Sequence, residues 1–376
     1  MRPSLRSISP SRLSVPFSRL SGLWLQALAC AVLALSSAGA VAQTTPQAGE
    51  LTGVDPALLA NPKYMAAMTE ARQMMRKQQV GFAEDAYRKA SKIAGGKDPV
   101  SLDGLYDAQI AVGSYKDAQK TAEAVIAIVR NLGEKSAAES DRGRALYLQA
   151  GDKGKPELLQ AAHEAFQAAL VDAPKNAQAH YMDGYVLARL HRMDDAKQEF
   201  QQCLSCISPK DPSYTRTQRF VENPALSTAK MAPAFTVVAL DGTKFNLDAM
   251  TGRVVLIDFW ATWCGPCNEE LPHMKKIAKE FAGEPLVIIS VSWDADEAKW
   301  KQFIAKNEMT WVQYRDADHQ LSRLFDVNAI PHYFTIDSDG VLTAEMLGEG
   351  SDVEGKLKKL VARAKASAPP VSQTGN

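Results

Sequence analysis

Cys264 and Cys267 are separated by two residues and lie between the apolar run Val254–Phe259 and a segment with helical spacing of its apolar residues. Disulfide exchange needs one thiolate that attacks and a second thiol close enough to resolve the mixed disulfide. The free N–H groups and the dipole at a helix N-terminus favour the thiolate form of a cysteine placed there. Pro266 suits the first helical turn, where its missing N–H has no partner to lose. The pattern predicts that Cys264 attacks and that Cys267 resolves.

The cysteine pair lies in a segment, residues 230–366, that has a mixed α/β pattern. Val254–Phe259 is predicted to be a strand buried on both faces, because it is a continuous apolar run. Two hairpins are predicted at Asp241-Gly242 and Asp339-Gly340, since Asp-Gly between short strands is a strong turn signal. Helical stretches follow the cysteines and close the segment. The order predicts a central sheet with helices on both faces.

The stretch Trp263–Cys267 after an apolar strand resembles the active site of thioredoxins, and the resemblance covers residues 230–366. The N-terminal leader described below and an extra helix and strand after Val291 are similar to the periplasmic TlpA/ResA-type reductases. The resemblance implies a thioredoxin fold and a cis-proline at Pro331, beside the sulfurs. It also implies a set of residues that would bind the client protein, namely Trp263, Gly265, Pro266, Ile330 and Pro331.

Two carboxylates are candidates for catalytic roles. Asp258 lies within the apolar strand, six residues before Cys264, at the position of the buried acid of thioredoxins. Burial raises the pKa of a carboxyl group towards the range of a general base, so we expect Asp258 to accept the proton of Cys267 rather than to be only structural. Glu270 falls where the ResA-type enzymes keep a functional glutamate. Acids near a helix start also occur for dipole reasons alone, so both explanations of Glu270 remain open.

Other chemistries fit this pattern less well. A second pair, Cys203 and Cys206, could in principle complete a four-thiolate zinc site, but 57 residues separate the two pairs, far from the usual spacing. We therefore expect no metal and no cofactor. A peroxidase of the peroxiredoxin type would carry a proline and a hydroxyl residue where this chain has Ile257 and Ala261.

The first 42 residues have the features of a cleaved signal peptide. Four arginines precede an apolar run that is shorter than a membrane span, and small residues up to Ala42 follow it. Export predicts a periplasmic location in an oxidising compartment. Residues 43–63 are predicted to be flexible, and residues 367–376 to be a disordered tail.

Residues 64–206 are predicted to form an all-α domain. Phe166 and Phe200, with their neighbouring small residues, recur at an offset of 34 residues, which resembles the tetratricopeptide repeat. Gly184 is expected to allow close contact between the two helices of one repeat. Residues 207–229 contain prolines and no sustained period, so a linker is predicted. The fold class is therefore multidomain, with a helical repeat domain followed by the α/β thioredoxin-like domain.

Cys203 and Cys206 lie at the end of the last repeat helix, three residues apart, and share one face of it. Three states remain open for this pair: a structural disulfide, a relay partner for the first pair, or free thiols. A haem-attachment site is excluded, because Ile207 stands where the histidine would be needed.

The sequence as a whole favours an exported thiol–disulfide oxidoreductase. The Gly-Pro dipeptide between the cysteines is typical of reducing thioredoxins, which favours a reductase supplied by a membrane-bound electron donor. The family resemblance implies exported thiol proteins as clients, apocytochrome c among them, and the repeats would bind a client or partner protein. The 43 basic and 43 acidic residues balance, which argues against nucleic acid as a partner. The alternative is an adaptor in which the repeats carry the function and the thioredoxin-like domain serves only for docking.

Overall fold

The computed structural model describes residues 54–348 and 350–367. The predicted signal peptide (1–42), the first half of the predicted flexible segment (43–63) and nearly all of the predicted tail (367–376) lie outside these residues. The described end of the flexible segment differs from its prediction, because it contains the short helix Pro56–Leu59 and the start of the helix Pro62–Arg76. Within the described part of the chain, no helix combines the length and the apolar composition that crossing a membrane requires.

The first part of the described chain is helical throughout. Several of its helices begin at an Asn or Asp whose side chain accepts a backbone N–H of the first turn, as at Asn61, Asp98 and Asn176. In chain order the helices are α1 (Pro56–Leu59), α2 (Pro62–Arg76), α3 (Val80–Ile93), α4 (Pro99–Val112), α5 (Tyr115–Ile128), α6 (Leu132–Ala150), α7 (Pro156–Asp172), α8 (Ala177–Arg189), α9 (Met193–Cys206) and α10 (Tyr214–Glu222).

Consecutive helices of this part pack against one another through small residues. A Cβ atom on Gly184 of α8 would lie 2.5 Å from the ring of Phe200 on α9, so the close contact expected at this glycine is confirmed. Gly143 of α6 has the same relation to Phe166 of α7, at 2.8 Å. Gly143 precedes Phe166 by 23 residues, whereas Gly184 precedes Phe200 by 16. The two phenylalanines are thus 34 residues apart, but the spacing between glycine and phenylalanine is longer in the pair α6 and α7 than in the pair α8 and α9.

The second part of the chain is a sheet with helices on both faces, as predicted. A small hairpin, β1 (Thr236–Val238) with β2 (Lys244–Asn246), precedes a five-stranded sheet of order β5-β4-β3-β6-β7. The remaining elements are β3 (Val254–Trp260), α11 (Gly265–Glu280), β4 (Leu286–Ser292), α12 (Glu297–Lys306), β5 (Val312–Arg315), α13 (Gln320–Leu324), β6 (His332–Ile336), β7 (Leu342–Leu347) and α14 (Val353–Ser367).

Strand β3 is central and buried along its whole length. It pairs in parallel with β4 and antiparallel with β6, and β6 and β7 form the second predicted hairpin. Side chains of β3 alternate between two cores, since successive residues of a strand point to opposite faces. Leu256 packs against α11 and α14, whereas Ile257 packs against the face that carries Phe325. Asp258 is therefore on the same face as Leu256, under α11.

The segment predicted as a linker, residues 207–229, differs from that prediction because it contains helix α10. Phe220 of this helix is fully buried in an aromatic cluster of the helical part, with its ring centre 5.2 Å from that of Phe200. A nine-residue helix between prolines gives too few turns for its period to be recognised in the sequence.

Two arginines of α10 contact the α/β domain. The Arg216 Nε donates to Asp248 Oδ1 at 2.9 Å, and its Nη2 donates to the carbonyl oxygen of Ala232 at 2.9 Å. Arg219 donates to Thr251 Oγ1 at 3.0 Å and to the carbonyl oxygen of Asp248. Arg216 and Asp248 are both buried, and removing one partner of such a pair costs about 3–5 kcal/mol. Helix α10 thus joins α8 and α9 of the helical part to the α/β domain through packing and ion pairing.

Candidate active site

The two cysteines of the Cys-Gly-Pro-Cys stretch lie at the start of α11, as predicted, and form a disulfide. Cys264 is the N-cap residue, and its Sγ accepts the backbone N–H of Cys267 at 3.2 Å. A sulfur at this position receives the free N–H groups and the positive end of the helix dipole, which favour an anion. Both cysteines are largely buried, while Gly265 and Pro266 between them are exposed.

The chain brings a distant loop beside this disulfide. The peptide bond between Ile330 and Pro331 is cis, which confirms what the resemblance implied. The Ile330 carbonyl oxygen lies 3.9 Å from Cys264 Sγ. Trp263, next to Cys264, is 65% exposed, so an apolar ring borders the sulfurs on the solvent side. Three of the residues predicted to bind a client are sequence neighbours of the cysteines, namely Trp263, Gly265 and Pro266. The other two, Ile330 and Pro331, are distant in the sequence and are brought beside the disulfide by the fold.

Asp258 lies on the sheet beneath the disulfide. Burial raises the pKa of Asp258 to about 7, with a smaller contribution from the nearby Glu270. The hydrogen bond from the Ser290 hydroxyl has the opposite effect and lowers this pKa. Asp258 and Cys267 line one small cavity of about 10 Å³, which also has Trp311 and Tyr333 in its wall. That space is near the lower limit for one water molecule. A carboxyl group of this acidity beside the resolving cysteine can take up a proton near neutral pH.

Glu270 contacts neither sulfur in the described structure. One of its carboxylate oxygens accepts the backbone N–H of Gly350 at 2.7 Å, and the other lies 3.1 Å from Nδ1 of His273. Glu270 on α11 is therefore hydrogen-bonded to the loop after β7. Its negative charge also contributes to the raised pKa of Asp258, so any influence on the thiols passes through that group.

His332 follows the cis-proline and is buried. Its ring stacks on Phe334 with centroids 4.7 Å apart, and Nε2 lies 3.1 Å from Glu345 Oε1. Burial lowers the pKa of His332, which favours the neutral ring. Phe334 belongs to the core on the face of the sheet opposite Asp258, so His332 packs on that far face.

Two residues of the site could not be recognised from the sequence. Ser290 lies directly opposite Asp258 on β4, and Trp311 immediately precedes β5. The available signal was a serine within the otherwise apolar stretch Leu286–Val291. Its partner depends on which strands are neighbours, which the sequence pattern does not specify.

The second pair, Cys203 and Cys206, consists of free thiols. Cys203 is 2% exposed in the core of the helical part, and burial raises the pKa of its thiol to about 12. The thiolate that disulfide exchange requires is therefore scarce at Cys203. Among the described residues, no group of three His, Cys, Asp or Glu side chains is placed to hold a metal ion.

Comparison with known proteins places the similarity in the α/β part. The Redoxin family matches residues 227–361. The chain is 29% identical over 143 residues to the thiol-disulfide oxidoreductase ResA of Bacillus cereus (strain ZK / E33L), covering 38% of this chain and 83% of the relative. It is 32% identical over 120 residues to the thioredoxin-like protein YneN of Bacillus subtilis (strain 168), covering 31% of this chain and 69% of the relative.

Among solved structures, the chain is similar to the thioredoxin domain of a thiol-disulfide oxidoreductase from Bacteroides vulgatus. The sequence identity is 29%, the TM-score is 0.33, and the match covers 35% of this chain and 96% of that chain.

Proposed function

The chain belongs to the thioredoxin-like family and is a thiol–disulfide oxidoreductase, and from this premise we propose that it is exported to the periplasm and reduces disulfides in exported proteins. The observation that carries the proposal is the Cys264–Cys267 disulfide at the N-terminus of α11, beside the cis-proline loop and above Asp258. The signal-peptide features of residues 1–42 support export. The Gly-Pro dipeptide supports the reducing direction.

The proposed reaction begins with the reduced protein. The Cys264 thiolate attacks one sulfur of a client disulfide, and the other client sulfur leaves as a thiolate. Asp258 then takes the proton of Cys267, whose sulfur attacks Cys264 and releases the second client sulfur as a thiolate, to which Asp258 can return the proton. Two electrons pass to the client, and the Cys264–Cys267 disulfide forms. A dithiol of a membrane-bound electron donor must reduce this disulfide by the reverse exchange before the next cycle.

The helical part is proposed to bind a client or another partner protein, since stacked helical repeats present extended surfaces for binding. The contacts of helix α10 support a fixed placement of the helical part relative to the α/β domain. Phe220 packs into the aromatic core of the repeats, and Arg216 pairs with Asp248 of the α/β domain. The helical part and the α/β domain would therefore keep a fixed relative orientation rather than being joined by a free tether.

A test in cells distinguishes this proposal from the adaptor alternative. We expect full-length protein with both Cys264→Ser and Cys267→Ser to fail to restore the phenotype of a deletion strain, because no electrons can pass without the two sulfurs. The matched control carries Cys203→Ala and Cys206→Ser and should restore it. Alanine suits position 203, because Ala169 occupies the equivalent place one repeat earlier. Full restoration by the Cys264/Cys267 double variant would establish the adaptor instead.

A further inference from the structure

Asp258 is the end of a chain of two hydrogen bonds that crosses two strands. Ser290 Oγ donates to Asp258 Oδ2 at 2.8 Å, and Trp311 Nε1 donates to Ser290 Oγ at 2.8 Å. Ser290 is fully buried and Asp258 nearly so. The fold brings these three residues together because β4 pairs with β3 and with β5, which Trp311 precedes.

The direction of this chain is fixed by chemistry. An indole N–H can only donate, so Ser290 Oγ must accept from Trp311. The hydroxyl hydrogen of Ser290 is then free to point at Asp258, which as a carboxylate can only accept. Both hydrogen bonds therefore run towards Asp258 and stabilise its charged form.

The other oxygen of the Asp258 carboxylate, Oδ1, receives no such hydrogen bond. Within residues 54–348 and 350–367, only Ser290 donates a hydrogen bond to Asp258, and it does so at Oδ2. The cavity that Asp258 shares with Cys267 also has Trp311 and Tyr333 in its wall. Ser290 on β4 and Glu270 on α11 influence the pKa of Asp258, and Tyr333 on β6 and Cys267 on α11 line the same cavity as its carboxyl group. Glu270 is the charged one, and it opposes ionisation of Asp258.

We propose that Ser290 and Trp311 are positioning residues for the resolving step: their hydrogen bonds hold Oδ2 of Asp258 and leave Oδ1 to accept the proton of Cys267. This inference rests on the proposed role of Asp258 as proton acceptor. Ser290 and Trp311 act through Asp258, and among the described residues neither of them has a hydrogen bond to a sulfur. Their loss should change the pH dependence of the resolving step and leave the first attack by Cys264 unaltered.

The test follows the two chemical steps separately over pH in the full-length protein, by single-turnover reduction of a disulfide peptide. Ser290→Ala removes a donor to the charged form, so the pKa of Asp258 should rise. We expect the midpoint of the resolving step to move up by about one pH unit, which is about a tenfold slower step at pH values below both midpoints. Trp311→Phe keeps a ring but loses the N–H, and should move the midpoint in the same direction by less. Ser290→Thr retains the hydroxyl and should restore the wild-type profile.

The chain supplies a matched control of the same chemistry. Trp293 Nε1 donates to Ser322 Oγ at 2.6 Å, and Ser322 Oγ donates to Asp316 Oδ2 at 2.6 Å. Ser322 is as buried as Ser290, but neither it nor Asp316 lines the cavity beside Cys267. Ser322→Ala should reduce stability and leave the midpoint of the resolving step unchanged.

Three outcomes would be informative. Unchanged midpoints in both Ser290→Ala and Trp311→Phe, or an equal shift in Ser322→Ala, would overturn the positioning role. If Ser290→Ala does not fold, the midpoint of Trp311→Phe alone tests the positioning role, because Ser290 keeps its hydroxyl group in that variant. A resolving step that is independent of pH in the wild type, and unaffected by Asp258→Asn, would instead show that the proposed role of Asp258 has failed.

Discussion

Replacing Cys267 with serine is expected to stop the reaction at a mixed disulfide between the client and Cys264. Cys264 can still attack, since its place at the N-cap of α11 does not depend on the second sulfur. A serine hydroxyl cannot displace a thiol from a disulfide, so the adduct has no internal route to resolution. We expect about one equivalent of client bound per protein molecule and multiple turnover at the level of the background.

The measurement is non-reducing electrophoresis after mixing with a disulfide client, followed by peptide mapping of the adduct by mass spectrometry. Cys264→Ser is the matched variant at the other sulfur and should trap nothing, because Cys267 lies inside the first turn and lacks the N-cap position that favours the thiolate of Cys264. Cys206→Ser should behave as the wild type. Adducts that map to Cys267 would reverse the assignment of the attacking and resolving cysteines.

Replacing Asp258 with asparagine is expected to slow the resolving step much more than the first attack. Asparagine has nearly the same shape but cannot accept the proton of Cys267, and a positioned general base contributes about 10²–10⁴-fold. We expect a loss of about 10²-fold in the resolving step at pH 7, measured by stopped-flow mixing. Equal losses in both steps would remove the role of Asp258 as the base for Cys267.

The pH dependence gives the same prediction a second readout. The pKa of Asp258 is raised to about 7, chiefly by burial, so in the wild type the resolving step should accelerate as the pH rises through about 7 and the carboxylate forms. Asp258→Asn should remove this dependence. Glu270→Gln should move the midpoint slightly downwards, because the Glu270 charge helps to raise the pKa of Asp258. An upward shift in Glu270→Gln would contradict this electrostatic account.

Stability should change with pH in a related way. A carboxyl group whose pKa is higher in the folded than in the unfolded state holds its proton more tightly when folded. Its contribution is therefore complete below the unfolded pKa, which is about 3.9 for Asp, and is lost as the pH rises through about 7. Urea unfolding at pH 5 and pH 8 should show a smaller difference for Asp258→Asn than for the wild type.

The sequence was sufficient for the features that depend on local pattern. The Asp-Gly turns at 241–242 and 339–340 lie between strands, and Cys264 caps a helix after a buried strand. The cis bond before Pro331 came from the family resemblance, since an X-Pro pair alone does not specify the isomer.

The features that were missed depend on tertiary contacts. Helix α10 is held by Phe220 in one domain and by Arg216 in the other, and neither contact follows from the pattern of its nine residues. Ser290 became recognisable as a partner of Asp258 only when the strand order was known. The position of Glu270 on α11 follows from the sequence. Its hydrogen bond to Gly350 does not, because the two residues are 80 positions apart.

The most direct test of the central claim is the reduction potential of the Cys264–Cys267 couple, measured in the full-length protein against defined glutathione or dithiothreitol ratios. A reductase with this Gly-Pro dipeptide should have a potential close to about −270 mV, the value of thioredoxin. A potential close to about −120 mV, that of the oxidant DsbA, would contradict the account. The difference of roughly 150 mV corresponds to about 7 kcal/mol for two electrons, so the two results cannot be confused.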